Sequence, residues 1–251
     1  MGALDWIAAG ARLQAGGCVR ADASVRDALH GAERRVAAIA SELDAPGVVG
    51  LLADNSPQWV VLDLALQAAG MIVVPLPSFF SAEQMMHAAG ASGMQALLCA
   101  DRVQAAQLGF IDPLYDDAQG IHCFRRPATT PRQADGASGC AAAKITFTSG
   151  TTGAPKGVRL SLDQQLKTAR ALAALMARIG ILRHLSALPL AVLLENVAGV
   201  YTAMMLGASC ICPPLEELGV SGASGFDAER FLAAIAHYQP DSLIVLPQML
   251  E

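Results

Sequence analysis

Apolar positions along the chain recur at helical spacing in some segments and form short continuous runs in others. Residues 23–43 carry apolar side chains at helical intervals with charged side chains between them, which predicts an amphipathic helix. Continuous apolar runs at 48–53, 71–75 and 95–99 predict buried strands, and 58–69 predicts a helix between the first two. Strands with two apolar faces that alternate with helices indicate an α/β fold with helix-covered, largely parallel sheets.

Residues with special backbone preferences mark the ends of these helices. Pro57 suits the first turn of the helix after the first strand, and Gly70 suits the position just beyond its end. Ser81, with Gln84 three residues later, predicts a capping box at the start of another helix. These local signals support the boundaries that the apolar pattern gives.

The alternation resumes in the second half of the chain. Residues 125–143 are rich in Pro, Gly, Ala and Thr and predict a linker between a first α/β subdomain at 1–124 and a second at 144–251. The predicted helices of the second subdomain are 161–179, 195–206 and 227–238. The predicted strands are 144–148, 157–160, 185–188, 208–212 and 242–246.

The clearest chemical signal is the run from Phe147 to Val158, F-T-S-G-T-T-G-A-P-K-G-V. Its small residues let a backbone approach a large anion, its hydroxyls can donate to phosphate oxygens, and its lysine adds a positive charge. It is not the common nucleotide loop, because Pro155 stands where the second glycine belongs and Gly157 where Ser or Thr belongs. Strand-like residues on both sides predict a β-hairpin. A surface hairpin without a ligand is the alternative.

The run resembles the phosphate-loop signature [YF]-T-S-G-T-T-G-x-P-K-G-V of the adenylate-forming superfamily, which includes acyl-CoA synthetases and the adenylation domains of peptide synthetases. Segments 48–75 and 188–207 are similar to further parts of that family. The resemblance implies two helix-covered sheets of an acyl-CoA synthetase-like N-terminal domain, incomplete at its C-terminus. It also implies that the adenylation lysine and the ribose-binding aspartate lie beyond residue 251, so this chain alone is predicted to be inactive.

The resemblance implies a two-step reaction. A carboxylate attacks the α-phosphorus of ATP to give an acyl-adenylate and pyrophosphate, and a thiol, usually coenzyme A, then takes the acyl group. Mg²⁺ is implied as a bridge between phosphate oxygens. A fatty acid is the expected acid, because Glu195 stands where some long-chain fatty-acid ligases carry an acidic residue. A carrier protein as the acceptor, and a non-catalytic module that binds nucleotide or a partner, are the alternatives.

Candidate site residues follow from the same resemblance. The predicted phosphate cradle, in which Lys156 and Thr151 are the catalytic candidates, consists of Thr148, Ser149, Gly150, Thr151, Thr152, Gly153 and Lys156. The predicted substrate pocket contains Val192, Glu195, Asn196 and Gly199. Val192 departs from the family, which usually has His or an aromatic residue there. The alternative for Lys156 is a surface lysine, for Glu195 an acid favoured by the helix dipole, and for Gly199 close helix packing.

Composition and charge narrow the function classes further. A net charge of −5 opposes nonspecific binding of nucleic acid. The six cysteines include no C-x-x-C pair, which favours reduced thiols of a cytoplasmic protein over metal ligands. Asp5 and the lack of a basic region argue against a secretory signal, and Gly207 and Pro213 break the uncharged stretch 197–215 into a helix and a strand, so no transmembrane segment is expected. The sequence does not decide whether the protein forms a homodimer.

Overall fold

The computed structural model describes residues 4–16, 22–115, 120–127, 142–148, 155–222 and 225–250. These residues form two compact units. Unit 1 comprises the described parts of Met1–Ala32, Asp54–Leu64 and Asp163–Glu251, and unit 2 comprises those of Glu33–Ala53 and Ala65–Leu162. The chain passes between the units after residues 32, 53, 64 and 162, so neither unit is one continuous segment.

Strands and helices alternate as the sequence pattern predicts. Within the described residues the strands are β1 (Arg12–Ala15), β2 (Asp22–Ser24), β3 (Val48–Leu52), β4 (Ile72–Pro75), β5 (Ala96–Cys99), β6 (Asp112–Tyr115), β7 (His122–Arg125), β8 (Lys144–Thr148), β9 (Lys156–Leu160), β10 (Arg183–Leu185), β11 (Ser209–Cys212), β12 (Val220–Ser221), β13 (Gly225–Phe226) and β14 (Ser242–Leu243). The helices are α1 (Val25–Ser41), α2 (Pro57–Ala68), α3 (Ala82–Ser92), α4 (Arg102–Gln107), α5 (Leu162–Met176), a π-helix (Leu194–Tyr201), α6 (Thr202–Leu206), α7 (Ala228–Tyr238) and the 3₁₀ turns Leu215–Leu218 and Pro247–Met249.

Unit 2 is built on a seven-stranded sheet of order β6-β7-β5-β3-β4-β8-β9. Its centre is parallel, since β3 pairs with β4 and β5 and β4 pairs with β8 in parallel register. Its two edges are antiparallel, through β7 beside β5 on one side and β9 beside β8 on the other. Its core packs residues from several strands, among them Val48, Ile72, Leu97 and Phe147. A parallel centre buried on both faces explains the continuous apolar runs in the sequence.

Unit 1 is built on a five-stranded sheet of order β14-β10-β11-β1-β2. All its pairs are parallel except β1 with β2. A core that includes Leu185, Ile211, Phe231 and Tyr238 packs near this sheet, and a small antiparallel pair, β12 with β13, lies in the same unit. The prediction of an α/β fold is therefore confirmed, with a largely parallel sheet in unit 1 and a mixed sheet in unit 2.

Most predicted boundaries are also confirmed. α2 begins at Pro57, and Gly70 beyond its end has a φ of 78°, a left-handed conformation that glycine adopts at no steric cost. Ser81 and Gln84 form the expected reciprocal capping box of α3. Asp227 caps α7, where its side chain accepts from the N–H of Arg230.

Some predicted boundaries are wrong. The strand expected at 185–188 is β10, which ends at Leu185, because the side chain of Asn55 binds the carbonyl groups of Ser186 and Leu188. The antiparallel strands β6 and β7 were not expected, and Pro113 within β6 weakens its strand signal. Arg125, the first residue of the expected linker, ends β7, and residues 128–141 of that segment lie outside the described residues.

No helix among the described residues is both long and apolar enough to cross a membrane. The four described cysteines, Cys99, Cys123, Cys210 and Cys212, are buried and free of disulfide bonds. Burial raises the pKa of Cys123 to about 12. It also raises the pKa of Cys212 to about 12, and that of Cys210 well above its usual value of 9.0. These thiols are therefore neutral core side chains near neutral pH.

Candidate functional site

The run that resembles a phosphate loop lies in unit 2, at the end of a β-hairpin. β8 and β9 pair in antiparallel register from Lys144 opposite Leu160 to Thr148 opposite Lys156. Thr148 and Lys156 are both exposed and face each other as the last cross-strand pair before the loop. The hairpin prediction is confirmed. Ser149, Gly150, Thr151, Thr152 and Gly153 lie outside the described residues.

Gly157 in this run packs tightly against side chains of the neighbouring strand. It lies opposite Phe147 in the hairpin, and a Cβ at this position would come within 3.0 Å of Phe147 Cζ and 3.2 Å of Ile145 Cγ2. An aromatic ring that covers a glycine on the facing strand is a known device for stabilising an edge strand. Gly157 therefore keeps the hairpin closed just beside Lys156.

A second contact fixes the residue that precedes Lys156. Pro155 is buried, and its carbonyl oxygen lies 3.0 Å from Nε2 of His87 on α3. The carbonyl can only accept, so the imidazole donates. This bond ties the end of the loop to a helix of the same unit and limits where the ammonium group of Lys156 can reach. His87 was not among the sequence candidates, because it is 68 residues away from its partner.

The other predicted residues lie in unit 1, between β10 and α6, on a segment that Asn55 holds in place. The Nδ2 group of Asn55 donates to the carbonyl oxygens of Leu188 at 2.9 Å and Ser186 at 3.3 Å. Its Oδ1 atom accepts from the N–H of Leu190 at 2.8 Å. One buried amide side chain thus satisfies three backbone groups of an irregular loop, which would otherwise be costly to bury.

Glu195 is fully buried and hydrogen-bonded through both carboxylate oxygens. Its Oε1 lies 2.7 Å from Nε2 of His184 on β10, and its Oε2 accepts from the backbone N–H of Leu188 at 3.1 Å. The other ring nitrogen of His184, Nδ1, lies 3.0 Å from Oγ of Ser242 on β14. Ser242, His184 and Glu195 therefore form a chain of hydrogen bonds from β14 to the π-helix.

Asn196 points to a second buried carboxyl group. Its Nδ2 donates to Oδ2 of Asp63 on α2 at 3.2 Å, and the hydroxyl of Tyr201 donates to the same oxygen at 2.6 Å. Asp63, Asn196 and Tyr201 are each at most 1% exposed. Consecutive residues of the π-helix are thus tied in two directions, Glu195 to His184 and Asn196 to Asp63.

Gly199 and Val192 complete the predicted pocket residues. A Cβ on Gly199 would lie 2.3 Å from Oε1 of Glu195 and 2.5 Å from Nε2 of His184, so only glycine fits beside this pair. Val192 is half-buried, and its carbonyl accepts from the N–H of Asn196 at 3.1 Å. The wide turns of a π-helix are rare, occur mostly as single turns within α-helices, and are frequent at functional sites.

The structure therefore groups the candidate residues into two clusters. Thr148 and Lys156 meet at the hairpin of unit 2, while Glu195, Asn196 and Gly199 share the π-helix of unit 1 with Val192 just before it. Sequence reasoning found these residues but missed their partners His184, Asp63 and Ser242. No local spacing signals a pair such as Asp63 and Asn196, which are 133 residues apart.

Two further features bear on ligands. In the part of the chain that the structure describes, no group of three His, Cys, Asp or Glu side chains is placed to hold a metal ion. An open surface cavity of about 590 Å³ lies in unit 1 between the 3₁₀ turn Leu215–Leu218 and α7. None of the predicted site residues lines it.

Comparison with known sequences gives one family over most of the chain. The sequence profile of a family described as AMP-binding enzyme matches residues 30–251. The nonribosomal peptide synthetase criC of Aspergillus cristatus is 34% identical over 132 residues, which are 49% of this chain and 6% of that protein. Long-chain-fatty-acid–CoA ligase 5 of Rattus norvegicus is 26% identical over 147 residues, which are 45% of this chain and 20% of that protein.

Comparison with solved structures gives the same fold. O-succinylbenzoate coenzyme A synthetase from Bacillus subtilis, in complex with ATP and a magnesium ion, superposes with a TM-score of 0.64 at 18% identity. The match covers 95% of this chain and 60% of that one. The chain thus spans less than two thirds of the length of these relatives, and at this identity the structural likeness is one of fold.

Proposed function

We propose, since this chain belongs to the AMP-binding enzyme family, that the full-length protein activates a carboxylic acid with ATP and passes the acyl group to a thiol. The observation that carries the proposal is the hairpin of β8 and β9. It presents Thr148 and Lys156 opposite each other at the two ends of a run rich in glycine and hydroxyl residues. Donors and a positive charge gathered in this way suit a polyphosphate leaving group.

In this proposal the hairpin end holds the β- and γ-phosphates while they depart as pyrophosphate. Thr148, Ser149, Thr151 and Thr152 donate through their hydroxyls, Gly150 and Gly153 through their amides, and Lys156 places its ammonium group on the terminal phosphates. The bond from His87 to the carbonyl of Pro155 and the packing of Phe147 on Gly157 hold the strand that carries Lys156. Donors that are oriented before charge develops need no rearrangement during the reaction.

Mg²⁺ has its place on the triphosphate in this proposal, and not on a set of protein side chains. The reason for this assignment is that Mg²⁺ keeps several waters and is usually held by substrate phosphates with one or two carboxylates. Bound there, the ion would neutralise charge on the phosphate oxygens, which is the usual role of Mg²⁺ with ATP.

For the acid we propose a fatty acid, and for the thiol coenzyme A. The similarity to a long-chain-fatty-acid–CoA ligase and the position of Glu195 support the acid. The similarity to a nonribosomal peptide synthetase favours a second candidate, in which a carrier protein takes the acyl group. We place the protein in the cytoplasm, because buried thiols without disulfides suit a reducing compartment.

The test is carboxylate-dependent exchange of pyrophosphate into ATP, measured with the full-length protein. We expect exchange with fatty acids, and a loss of about 10²-fold or more in its rate for Lys156→Ala, because one oriented donor on developing charge contributes about that much. The matched control is Lys167→Ala, which removes another exposed lysine, one that pairs with Asp163 on α5. Exchange at the wild-type rate in Lys156→Ala would return Lys156 to the role of a surface lysine.

The acceptor is tested separately, after adenylation is established with an acid. Coenzyme A and a phosphopantetheinylated carrier protein are each offered to the full-length protein with ATP and that acid. Acyl-CoA formation supports the first candidate. Acyl transfer only to the carrier protein supports the second.

A further inference from the structure

We propose that His184 and Glu195 are positioning residues for the acid site. Their hydrogen bond fixes the π-helix, and with it Asn196 and Gly199, in the geometry that the bound carboxylic acid requires. The inference rests on the proposed function and assigns to Glu195 a different role from substrate contact.

The first argument is that both carboxylate oxygens of Glu195 are buried and already bonded within the protein. One carboxylate oxygen lies 2.7 Å from Nε2 of His184 and the other accepts from the N–H of Leu188. The residue is 0% exposed, so a ligand could reach these oxygens only by opening the core around them. Any ligand that displaced His184 or Leu188 would leave a buried donor without an acceptor, which is destabilising.

The second argument is that the pair ties three consecutive segments of the chain to one another and to a distant strand. His184 lies on β10, Leu188 lies in the loop that Asn55 holds, and Glu195 lies in the first turn of the π-helix. The bond between His184 and Ser242 extends the connection to β14. Loop, strands and helix therefore take one relative arrangement in which every polar group of the pair is satisfied.

The third argument is the glycine that faces the pair. Gly199 follows Glu195 by four residues, and its Cα hydrogens occupy the space where any side chain would strike Glu195 Oε1 and His184 Nε2. The helix backbone is thus in direct contact with the bonded atoms. A displacement of His184 and Glu195 would therefore move Gly199, and also Asn196, which follows Glu195 in sequence.

A buried hydrogen-bonded pair is not needed for stability alone, because two well-packed apolar side chains of similar volume often stabilise a core equally well. This difference gives a sharp experiment. His184→Leu combined with Glu195→Leu removes the charged pair as a whole, so no buried charge is left unpaired, and the N–H of Leu188 alone in the core loses its acceptor. A single lost acceptor is a small part of the stability of a domain of this size, so the protein is expected to fold. The variant loses the hydrogen bond between His184 and Glu195, which we propose fixes the first turn of the π-helix.

The conservative variant Glu195→Gln is expected to preserve the geometry. A carboxylate only accepts, so Nε2 of His184 carries the hydrogen in the native pair. In the variant the Gln carbonyl accepts from Leu188, and its amide donates to Nε2. The ring hydrogen then moves to Nδ1 and points at Ser242. The bonds are conserved while the tautomer changes.

Both variants are made in the full-length protein, with His237→Leu on the exposed end of α7 as the control for loss of a histidine. Adenylation is measured by pyrophosphate exchange with the best acid, and the tautomer of His184 by NMR of ¹⁵N-histidine-labelled protein. We expect kcat/KM for the acid to fall by about 10²-fold in the double leucine variant, since a misplacement of about 1 Å costs that much. In Glu195→Gln it should stay within a few-fold of wild type, with the Nδ1–H tautomer.

The results separate the two proposals. A folded double leucine variant with wild-type kcat/KM overturns the positioning role and leaves the proposed function intact. Loss of activity in Glu195→Gln with the native tautomer retained also overturns it. If the wild-type protein shows no exchange with any acid, the proposed function fails and the positioning role falls with it, even where the NMR spectra show the hydrogen-bonded pair.

Discussion

At the scale of single residues, two carboxyl groups in the described part of unit 1, those of Asp63 and Glu195, are fully buried. Each accepts hydrogen bonds from donors outside its own helix. Asp63 on α2 accepts from Asn196 and Tyr201, and the ring of Tyr201 also lies 5.1 Å from that of Trp6. A buried carboxyl group that loses a donor is left with a desolvation cost that no solvent relieves. The hydroxyl of Tyr201 therefore stabilises the folded state through its hydrogen bond to Asp63.

Tyr201→Phe removes that atom and keeps the ring. We expect the free energy of unfolding to fall by about 1–3 kcal/mol, because Oδ2 of Asp63 loses its shortest described hydrogen bond. Urea unfolding followed by circular dichroism measures the change. Tyr115→Phe is the control, since Tyr115 meets Arg35 with the face of its ring, and a change within about 0.5 kcal/mol is expected there. Equal stability of Tyr201→Phe and wild type would contradict the role of the hydroxyl.

At the scale of elements, α3 shows how a helix boundary is set by groups close in sequence. Ser81 Oγ accepts from the N–H of Gln84 at 3.2 Å, and the Gln84 side chain accepts from the N–H of Ser81 at 2.9 Å. Gly93, with a φ of 67°, ends the helix in the left-handed conformation. Both ends satisfy backbone groups that a helix leaves without internal partners.

Ser81→Ala is expected to lower the free energy of unfolding by about 1 kcal/mol, the usual cost of losing an N-cap side chain. The matched control is Ser41→Ala at the end of α1, where the hydroxyl donates to the carbonyl of Ala38 on an exposed surface. There the change should be within about 0.5 kcal/mol. If the two variants lose the same amount, the capping box does not stabilise α3 beyond a surface hydroxyl.

The sequence predicts well those helix ends and turns that depend on residues close together in the chain. The capping box, Pro57 at the start of α2 and the hairpin of β8 and β9 each depend on residues within one turn or one loop. The end of β10 depends instead on Asn55, which is 131 residues from Ser186, and no local pattern reveals it. The π-helix was expected only as a helix, because eight residues are too few for the apolar pattern to distinguish i→i+5 from i→i+4 hydrogen bonding.

The candidate site follows the same rule. Lys156 and Glu195 could be selected from motifs, but whether Glu195 meets a substrate or His184 depends on how β10 and the π-helix pack. The histidines are scattered in sequence, and only the fold shows that His184 lies beside the carboxylate of Glu195. The substrate role of Val192, Asn196 and Gly199 stays a prediction.

At the scale of the whole molecule, buried thiols occur in the cores of both units. Cys123 belongs to unit 2 and Cys212 to unit 1, and burial raises the pKa of each to about 12 from a usual 9.0. Below pH 9 these thiols are neutral in the folded and unfolded states alike. Above it they ionise only when the chain unfolds, so their contribution to stability is lost as the pH rises from about 9 toward 12.

We therefore expect each such thiol to lower the free energy of unfolding by about 1.4 kcal/mol per pH unit above pH 9. Urea unfolding of wild type and Cys123→Ala at pH 8, 9 and 10 measures this slope. The advantage of the wild type over the variant should be constant up to pH 9 and shrink at pH 10. Parallel stability curves over the whole range would show that the pKa of Cys123 is not raised.

The four passages of the chain between the units constrain any attempt to dissect the protein. Excision of residues 33–162 would carry along 54–64, the piece of unit 1 that supplies Asn55 and Asp63. A recombinant fragment beginning at residue 163 would keep the π-helix and the loop before it, but would lose Asp63, which binds the helix, and Asn55, which binds the loop. Fragments would therefore contain incomplete cores. The role of each unit is better studied by point substitutions in the whole chain than by truncation.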